Sequence, residues 1–585
     1  PYTTLFRSGK TQRFSLALVF GDDYQGVVRS KGIAQLIYDA NYNFPKPPDM
    51  PTVTAVPGDG EVTLYWDRVA ESSYDRSLQE YDFEGYKIYR GTDPSFSDAK
   101  TISNGYGELV DYQPIAQFDL DNGVNGFFNA DPYLYELSSG KPYYLGDDTG
   151  IRNSFVDKDV VNGRTYYYAV CAYDRGDEAE SIYPSENDKS IFIDAAGNTI
   201  LSQNTVEVVP NAPVADYVPP ETGVPLDRMS GISSNIPYVE VVDPGKLKST
   251  TYYVTFTDSL VQGIHVAYAY NLIDSTTNDT IFSNNIHFVR SNGDVFDGLR
   301  LSFNTRYQKL DSVRIDTTNS GWNNDDPAHL TPVISMFKWK DISSVRCPYD
   351  YMFVFDDGNI HTSSRLTSIF GNNSPLKELN TNFAVYDVTD PDNPVQIQYG
   401  FVESPGTKQD TLSHFDGVYL SNADGTQLSW KVVFSGKEAS APAAGDTLLL
   451  SFFKPFSYRD KFVYRSKALS IDRNLAENKM NDIRAVPKPY VVTNIFEQPL
   501  PSQMTGRGER IVNFINLPAN STIRIFASNG SHIRTLHHDG NFTNGSCQWD
   551  LRTKERLDIA YGIYFYVVEA DGISDKKYGK LAIIK

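Results

Sequence analysis

Apolar side chains recur at every second position in segment after segment of this 585-residue chain, and each segment is bounded by Gly, Pro, Asn or Asp. Residues two apart share one face of a strand, so the pattern calls for half-buried antiparallel strands whose apolar faces must be covered by a second sheet. The expected fold class is all-β, a tandem series of antiparallel β-sandwich domains. The 39 Tyr and 33 Phe favour the same reading, because aromatic side chains fit a pleated surface. At about 150 residues per domain the chain holds three or four. Spacing of about 3.6 residues competes only over Gly32–Asn43 and Leu469–Ile483, and both segments are read as connectors.

Charge and composition remove several function classes. Lys and Arg number 53 against 73 Asp and Glu, a net charge of −20, which disfavours nucleic acid and anionic lipid as partners. Cys171, Cys347 and Cys547 are far apart, with no CxxC and no His at metal spacing, so neither a disulfide framework nor a zinc site is implied. No run approaches the roughly 18 apolar residues of a membrane helix. The best of them, Phe14–Phe20, is broken at once by Gly21-Asp22-Asp23. Residues Pro1 to Ser8 lack the basic start and apolar centre of a signal peptide. The chain is read as an N-terminally truncated fragment whose residues 1–48 belong to an upstream domain.

The first boundary is Pro45-Lys46-Pro47-Pro48-Asp49-Met50-Pro51, whose prolines cannot donate to a ladder. Over 49–204 follow Glu61–Asp67, Tyr86–Arg90, Thr165–Tyr173 and Lys189–Ile193, and in the third of these Tyr166, Tyr168, Val170 and Ala172 share a face. Trp66 in the second strand, the Tyr86/Tyr89 pair, and Tyr166, Val170 and Ala172 after Gly163 make this region resemble a fibronectin type III domain. That resemblance implies that Tyr166 is the corner tyrosine whose hydroxyl returns to backbone. The segment is longer than the roughly 100 residues of such sandwiches, and the excess between Arg90 and Gly163 is read as an insertion decorating one end. Residues 205–478 are read as a central β-sandwich region of one or two domains, with Cys347-Pro348 the seam if there are two.

The segment 479–585 carries the most specific pattern: Val486-Pro-Lys-Pro-Tyr490, Phe514-Ile-Asn-Leu-Pro518, Ile523-Arg-Ile-Phe526 with Ile533-Arg-Thr-Leu536, Trp549-Asp-Leu-Arg552, Ala560-Tyr-Gly-Ile-Tyr564 and Gly579-Lys580 before an apolar end at Lys585. In this order the motifs resemble the C-terminal sorting domain of type IX secretion cargo, which is similar to the Ig-like domain of flagellar hook-capping proteins. Lys488 stands where the family has Asn, and Tyr561 where a small residue is common. The resemblance implies a sorting signal at Gly562, Tyr564, Gly579, Lys580 and Lys585, the type IX secretion machinery as partner, and an extracellular or outer-membrane surface location.

Chemistry is sparse. The eight histidines scatter, and the adjacent His537 and His538 are read as a solvated hairpin end. No GxSxG, HExxH, Walker loop or strand-to-helix GxGxxG occurs, so the residues supply no catalytic constellation and imply no organic cofactor. One calcium candidate stands out: Asp119, Asp121, Asn122 and Asn125 place oxygens at positions one, three, four and seven of a loop, with Asp131 one place beyond the twelfth. The competing reading is a plain Asx turn, as for Gly146-Asp-Asp-Thr-Gly150. Arg175-Gly176-Asp177 follows the Tyr166 strand and is read as a turn rather than an integrin ligand. The functional expectation is a secreted, surface-attached modular bacterial protein, an adhesion, binding or structural module with a protein or polysaccharide ligand. The alternative is the accessory and sorting portion of a larger hydrolase with its catalytic domain upstream.

Overall fold

The computed structural model describes residues 16–584 apart from 22, 40–45, 77, 100, 104–108, 130–142, 180–181, 195–197, 289–292, 325–329, 359, 438–440, 498–507, 509 and 539–540. It is nearly all β, built from sheets that are antiparallel except where Tyr490–Val491 joins Lys577–Ile584. The chain divides into two compact units, Pro1–Val218 with Ser470–Lys585, and Pro219–Leu469. No helix among the described residues is long and apolar enough to cross a membrane.

In the first unit, a three-stranded sheet (Val53–Pro57, Val62–Trp66, Ser154–Asp157) faces a four-stranded one ordered Thr205–Val208, Tyr166–Asp174, Phe83–Gly91, Ala116–Asp119. Between them lie Val62, Leu64, Trp66, Tyr86, Ile88, Tyr166, Tyr168, Val170 and Ala172, the last four being the expected face of their strand. Tyr166 meets backbone through its hydroxyl, which accepts the Val161 N–H at 2.9 Å. The opposite face of the same strand is also covered. Tyr167, Ala169 and Cys171 pack with Tyr89 and Phe96, while Tyr173 packs with Phe128, Tyr143 and Leu145. The insertion between Arg90 and Gly163 therefore lies in part over the outer sheet face, not only at one end, and all nine residues of Tyr166–Asp174 are buried. Lys189–Ile193 also differs from expectation. Only Phe192–Ile193 is extended, in an exposed two-strand ribbon, and Thr205–Val208 completes the sheet because its Val206 and Val208 reach the core.

The helical connectors are displaced or shortened relative to the spacing. The first spans Tyr24–Asp39, entered through Asp23, whose carboxylate accepts the Gly26 N–H at 2.6 Å. The second spans only Arg473–Lys479, capped by Asp472, whose carboxylate accepts the Asn474 N–H. A 3₁₀ turn over Met480–Asp482 follows it.

The C-terminal part of this unit is a second sandwich. A three-stranded sheet (Arg484–Val486, Val512–Ile515, Cys547–Trp549) covers a five-stranded one ordered Tyr490–Val491, Lys577–Ile584, Gly562–Ala570, Ser521–Ala527, His532–His537. The segment after Val208 runs along this sandwich. Gly545 N–H donates to Ala212 O at 2.7 Å, Ala215 N–H to Leu517 O at 2.9 Å, and Ala519 N–H to the Asp216 carboxylate at 2.9 Å.

The second unit contains two large cores and a smaller one around Leu366, Phe370, Leu376, Tyr419 and Leu428. One large core lies between a sheet containing Tyr238–Val241 and Leu299–Ser302 and a sheet containing Thr250–Val261, Ile264–Asp274 and Lys461–Ser466. The chain leaves it after Ser302, builds a second sandwich around Tyr351, Phe353, Phe383, Trp430 and Phe452, and returns so that Lys461–Ser466 pairs with Thr250–Thr255. Where the two crossing segments pass, the Tyr307 and Phe453 rings stack at 4.0 Å. Cys347 is buried inside the second sandwich, its carbonyl accepting from the Trp430 indole N–H at 2.9 Å.

Candidate functional site

The residues expected to carry a sorting signal converge on the last two strands. Gly562–Ala570 and Lys577–Ile584 pair antiparallel, with Tyr564 opposite Leu581 and Tyr566 opposite Gly579. The terminal strand is held from its other side as well, parallel to Tyr490–Val491, with Tyr490 opposite Ile583. Period-two alternation then divides its side chains: Leu581 and Ile583 enter the core with Trp549, Tyr564 and Tyr566, while Tyr578, Lys580 and Ile584 face outward.

The motif aromatics here have mechanical reasons that a motif alone does not state. Tyr564 meets Trp549 edge-on at 5.9 Å and donates its hydroxyl to Ala560 O at 2.7 Å. Trp549 is fully buried and donates its indole N–H to Arg552 O at 3.0 Å, closing the turn that follows. Tyr566 lies across Gly579 so closely that a Cβ there would sit 2.1 Å from the ring, so only glycine fits opposite this phenol. Burial raises the pKa of both tyrosines, which remain neutral hydrogen-bonding groups. Gly562 has φ +152° and open space where a Cβ would be, so its requirement is conformational rather than steric. Lys585 lies outside the described residues.

Outward from this strand pair, Tyr561, Ile563, Phe565, Tyr578, Ile584 and Val491 are all exposed, an apolar band beside Lys580. The pairing register brings them together: Ile563 lies opposite Ala582, Phe565 opposite Lys580 and Val567 opposite Tyr578. The sequence motifs identified the inward residues of these strands better than this outward band, because motif spacing does not say which face remains uncovered.

The calcium candidate has a different construction from the one its spacing suggests. Asp119 is fully buried, and its carboxylate accepts the Asp148 and Thr149 N–H groups and the Thr149 hydroxyl. Asp148 in turn accepts the Asn122 and Gly123 N–H groups and the Asn125 side-chain amide. The two acidic turns, 119–125 and 146–150, are thus one structure, each carboxylate satisfied by the other turn's donors. Asp121 is exposed, Asn122 donates its side-chain N–H to Glu84 at 3.1 Å, and Asp131 lies outside the described residues. Among the described residues no group of three or more His, Cys, Asp or Glu side chains is placed to hold a metal ion.

Glu84, behind this loop, carried no signal in the sequence. It is fully buried on the Phe83–Gly91 strand, one carboxylate oxygen bonded to Asn122 and the other without a hydrogen-bond partner among the described residues. Burial, with Asp119 and Asp148 adding to it, pushes its pKa up to about 7.

Arg175-Gly176-Asp177 forms a turn. Arg175 pairs with Glu80 at 3.0 Å, Gly176 has φ +64°, and Asp177 and Ile182 exchange backbone hydrogen bonds. The histidine pair splits: His537 is exposed, whereas His538 is buried with its imidazole Nε2 2.5 Å from Asn544 O, so only the first is at a solvated hairpin end. Both line a cavity of about 390 Å³ with Gly163, Asn211, Asn513 and Cys547.

No family model matches the chain, and no curated protein matches it. Among solved structures, PorZ, a surface component of the type-IX secretion system of Porphyromonas gingivalis, is 10% identical over 93% of this chain and 53% of its own, with a TM-score of 0.14. Dimeric latent PorU from the same organism is 10% identical over 71% and 43%, with a TM-score of 0.12. A tetra-tandem repeat from the extending region of a large adhesion protein is 11% identical over 91% and 99%, with a TM-score of 0.10. This chain spans about half the length of the first two. Superposition at these TM-scores carries no argument from those proteins to this one.

Proposed function

We propose that this chain is a secreted modular protein of the bacterial surface that reaches the outside by type IX secretion and works there as an adhesion, binding or structural module. In this reading the C-terminal sandwich is the address read by the secretion machinery. One observation supports it above the rest. The final strand is locked into a folded sandwich through Leu581 and Ile583, yet leaves Tyr578, Lys580 and Ile584 outward beside the apolar band of Tyr561, Ile563 and Phe565. A signal of this kind is legible on a folded domain without unfolding it. The tandem sandwiches support a modular role, and the net charge of −20 turns the chain away from polyanionic partners.

The test is surface display of the full chain in a host with a working type IX system, against a strain in which that system is disabled. Lys580→Glu and Phe565→Asp alter the outward face and leave the core residues in place. Reduced display of these variants, with the unaltered chain absent from the surface of the disabled strain, supports the reading. Equal display of all forms in both strains refutes it.

A further inference from the structure

The edge of the first sandwich where Phe83–Gly91 ends and Ser154–Asp157 turns back encloses a cleft of about 610 Å³. That lies within the roughly 300–1,000 Å³ range of small-molecule sites. Its floor is rigid. Arg90 donates to both oxygens of Asp157 at 3.1 and 2.8 Å, to Asp159 O at 2.6 Å and to the Asp159 carboxylate at 3.0 Å. Asp157 is itself buried and accepts the Tyr168 hydroxyl at 2.8 Å. Arg90 is therefore neutralised and positioned, not available.

Arg164 is in the opposite condition. It donates one N–H to the Thr92 hydroxyl at 3.0 Å, and among the described residues no carboxylate stands within ion-pair distance. Its guanidinium lies 5.8 Å from the Tyr166 ring centre, as does that of Arg90. The Thr92 hydroxyl donates onward to Asp98, which also accepts the Thr92 N–H and is otherwise exposed. A fork of free donors and a carboxylate with free lone pairs are thus fixed on either side of one threonine. Pro114, Ile115 and Phe155, all partly buried, line the cleft beside them.

The chemistry matched by this arrangement is narrow. An anion would meet Asp98 beside Arg164, on a chain of net charge −20, and a cation would meet the Arg164 guanidinium, since Arg90, Asp157 and Asp159 offset one another. A pyranose ring has hydroxyls that donate and accept at once, and an apolar C–H face that packs on Pro, Ile or Phe. We propose that this cleft binds a neutral saccharide, with Arg164 donating to and Asp98 accepting from neighbouring ring hydroxyls. The proposal gives a ligand class to the binding role above and rests on that part of it. Its test uses purified protein, so failure to bind is separate from failure to be exported.

Isothermal titration of the 585-residue chain with maltotriose, cellotriose and triacetylchitotriose, each to about 10 mM, is expected to give a millimolar or tighter Kd for at least one. Trigalacturonic acid serves as the anionic comparison. Arg164→Ala should weaken the binding about tenfold or more, and Arg164→Lys should not restore it, because lysine keeps the charge and loses the fork. Asp98→Asn, at an exposed side chain, supplies a second variant that leaves the core alone, with unchanged circular dichroism as the check on folding. Absence of binding to all three neutral sugars, binding unchanged in both Arg164→Ala and Asp98→Asn, or tighter binding of trigalacturonic acid would overturn the proposal.

Discussion

Replacing Glu84 by Gln should stabilise the first sandwich at pH 8 and do little at pH 5. The carboxyl is fully buried, half-satisfied by Asn122, and is opposed by the charges of Asp119 and Asp148, with Arg175 favouring ionisation. Its pKa moves from the ordinary 4.5 to about 7. The folded chain therefore holds a proton that the unfolded chain releases between those values, and stability falls as pH rises through that window. At about 1.4 kcal/mol per pH unit of displacement, the fully ionised group costs the fold up to about 3–4 kcal/mol, and relaxation around a real buried carboxylate leaves roughly 1–3.

Gln keeps the shape and the acceptor toward Asn122 and removes the charge, so the gain appears only where Glu84 would be ionised. For a domain of this size that is a rise of roughly 3–10 °C in the melting temperature at pH 8. Asp174, raised to about 7, and Asp82, raised to about 6, are both held there chiefly by burial and titrate over the same window. The Gln variant should therefore flatten the pH dependence without abolishing it. Hydrogen exchange of peptides from Tyr166–Asp174 in the full chain, corrected for intrinsic exchange rates, reads this sandwich separately from the others. An identical effect of the substitution at pH 5 and pH 8 would refute the argument, since it would mean that the carboxyl ionises normally.

Other expectations concern the C-terminal sandwich and the acidic loop. Gly579→Ala should destabilise by roughly 1–3 kcal/mol, because its methyl meets the Tyr566 ring. The loss should shrink in a Tyr566→Ala background, as a double-mutant cycle in urea would show. Trp549→Ala should cost about 3–5 kcal/mol in the same assay, since the ring is fully buried. Millimolar calcium should leave the melting temperature unchanged, because Asp119 and Asp148 are already occupied by N–H and hydroxyl donors; a rise of several degrees would show that the turns reopen around the ion. Removing residues 484–585 should expose 211–218 to limited proteolysis, since the partners of Ala212, Ala215 and Asp216 lie at Gly545, Leu517 and Ala519.

Local chemistry was legible in the residues themselves. Alternation placed Tyr166, Tyr168, Val170 and Ala172 on one core face, and Asp and Gly marked the turns at 119–125 and 146–150, because pleat and turn conformation are set within a few residues. Which surfaces meet was decided only by tertiary structure. Nothing near Tyr167 or Tyr173 announces that Phe96, Phe128 and Tyr143 will cover the second face of their strand. Likewise, nothing near Lys461 selects Thr250–Thr255 as its partner across the intervening sandwich, or joins the two acidic turns through Asp119 and Asp148. The same holds for the cleft, where the loop holding Thr92 and Asp98 meets Arg164 from another turn, and for Glu84, whose displaced pKa is a property of what is buried around it. Period two tells each side chain its face, but the neighbour across that face is chosen by packing over the whole domain, and a strand pattern alone is degenerate with respect to that choice.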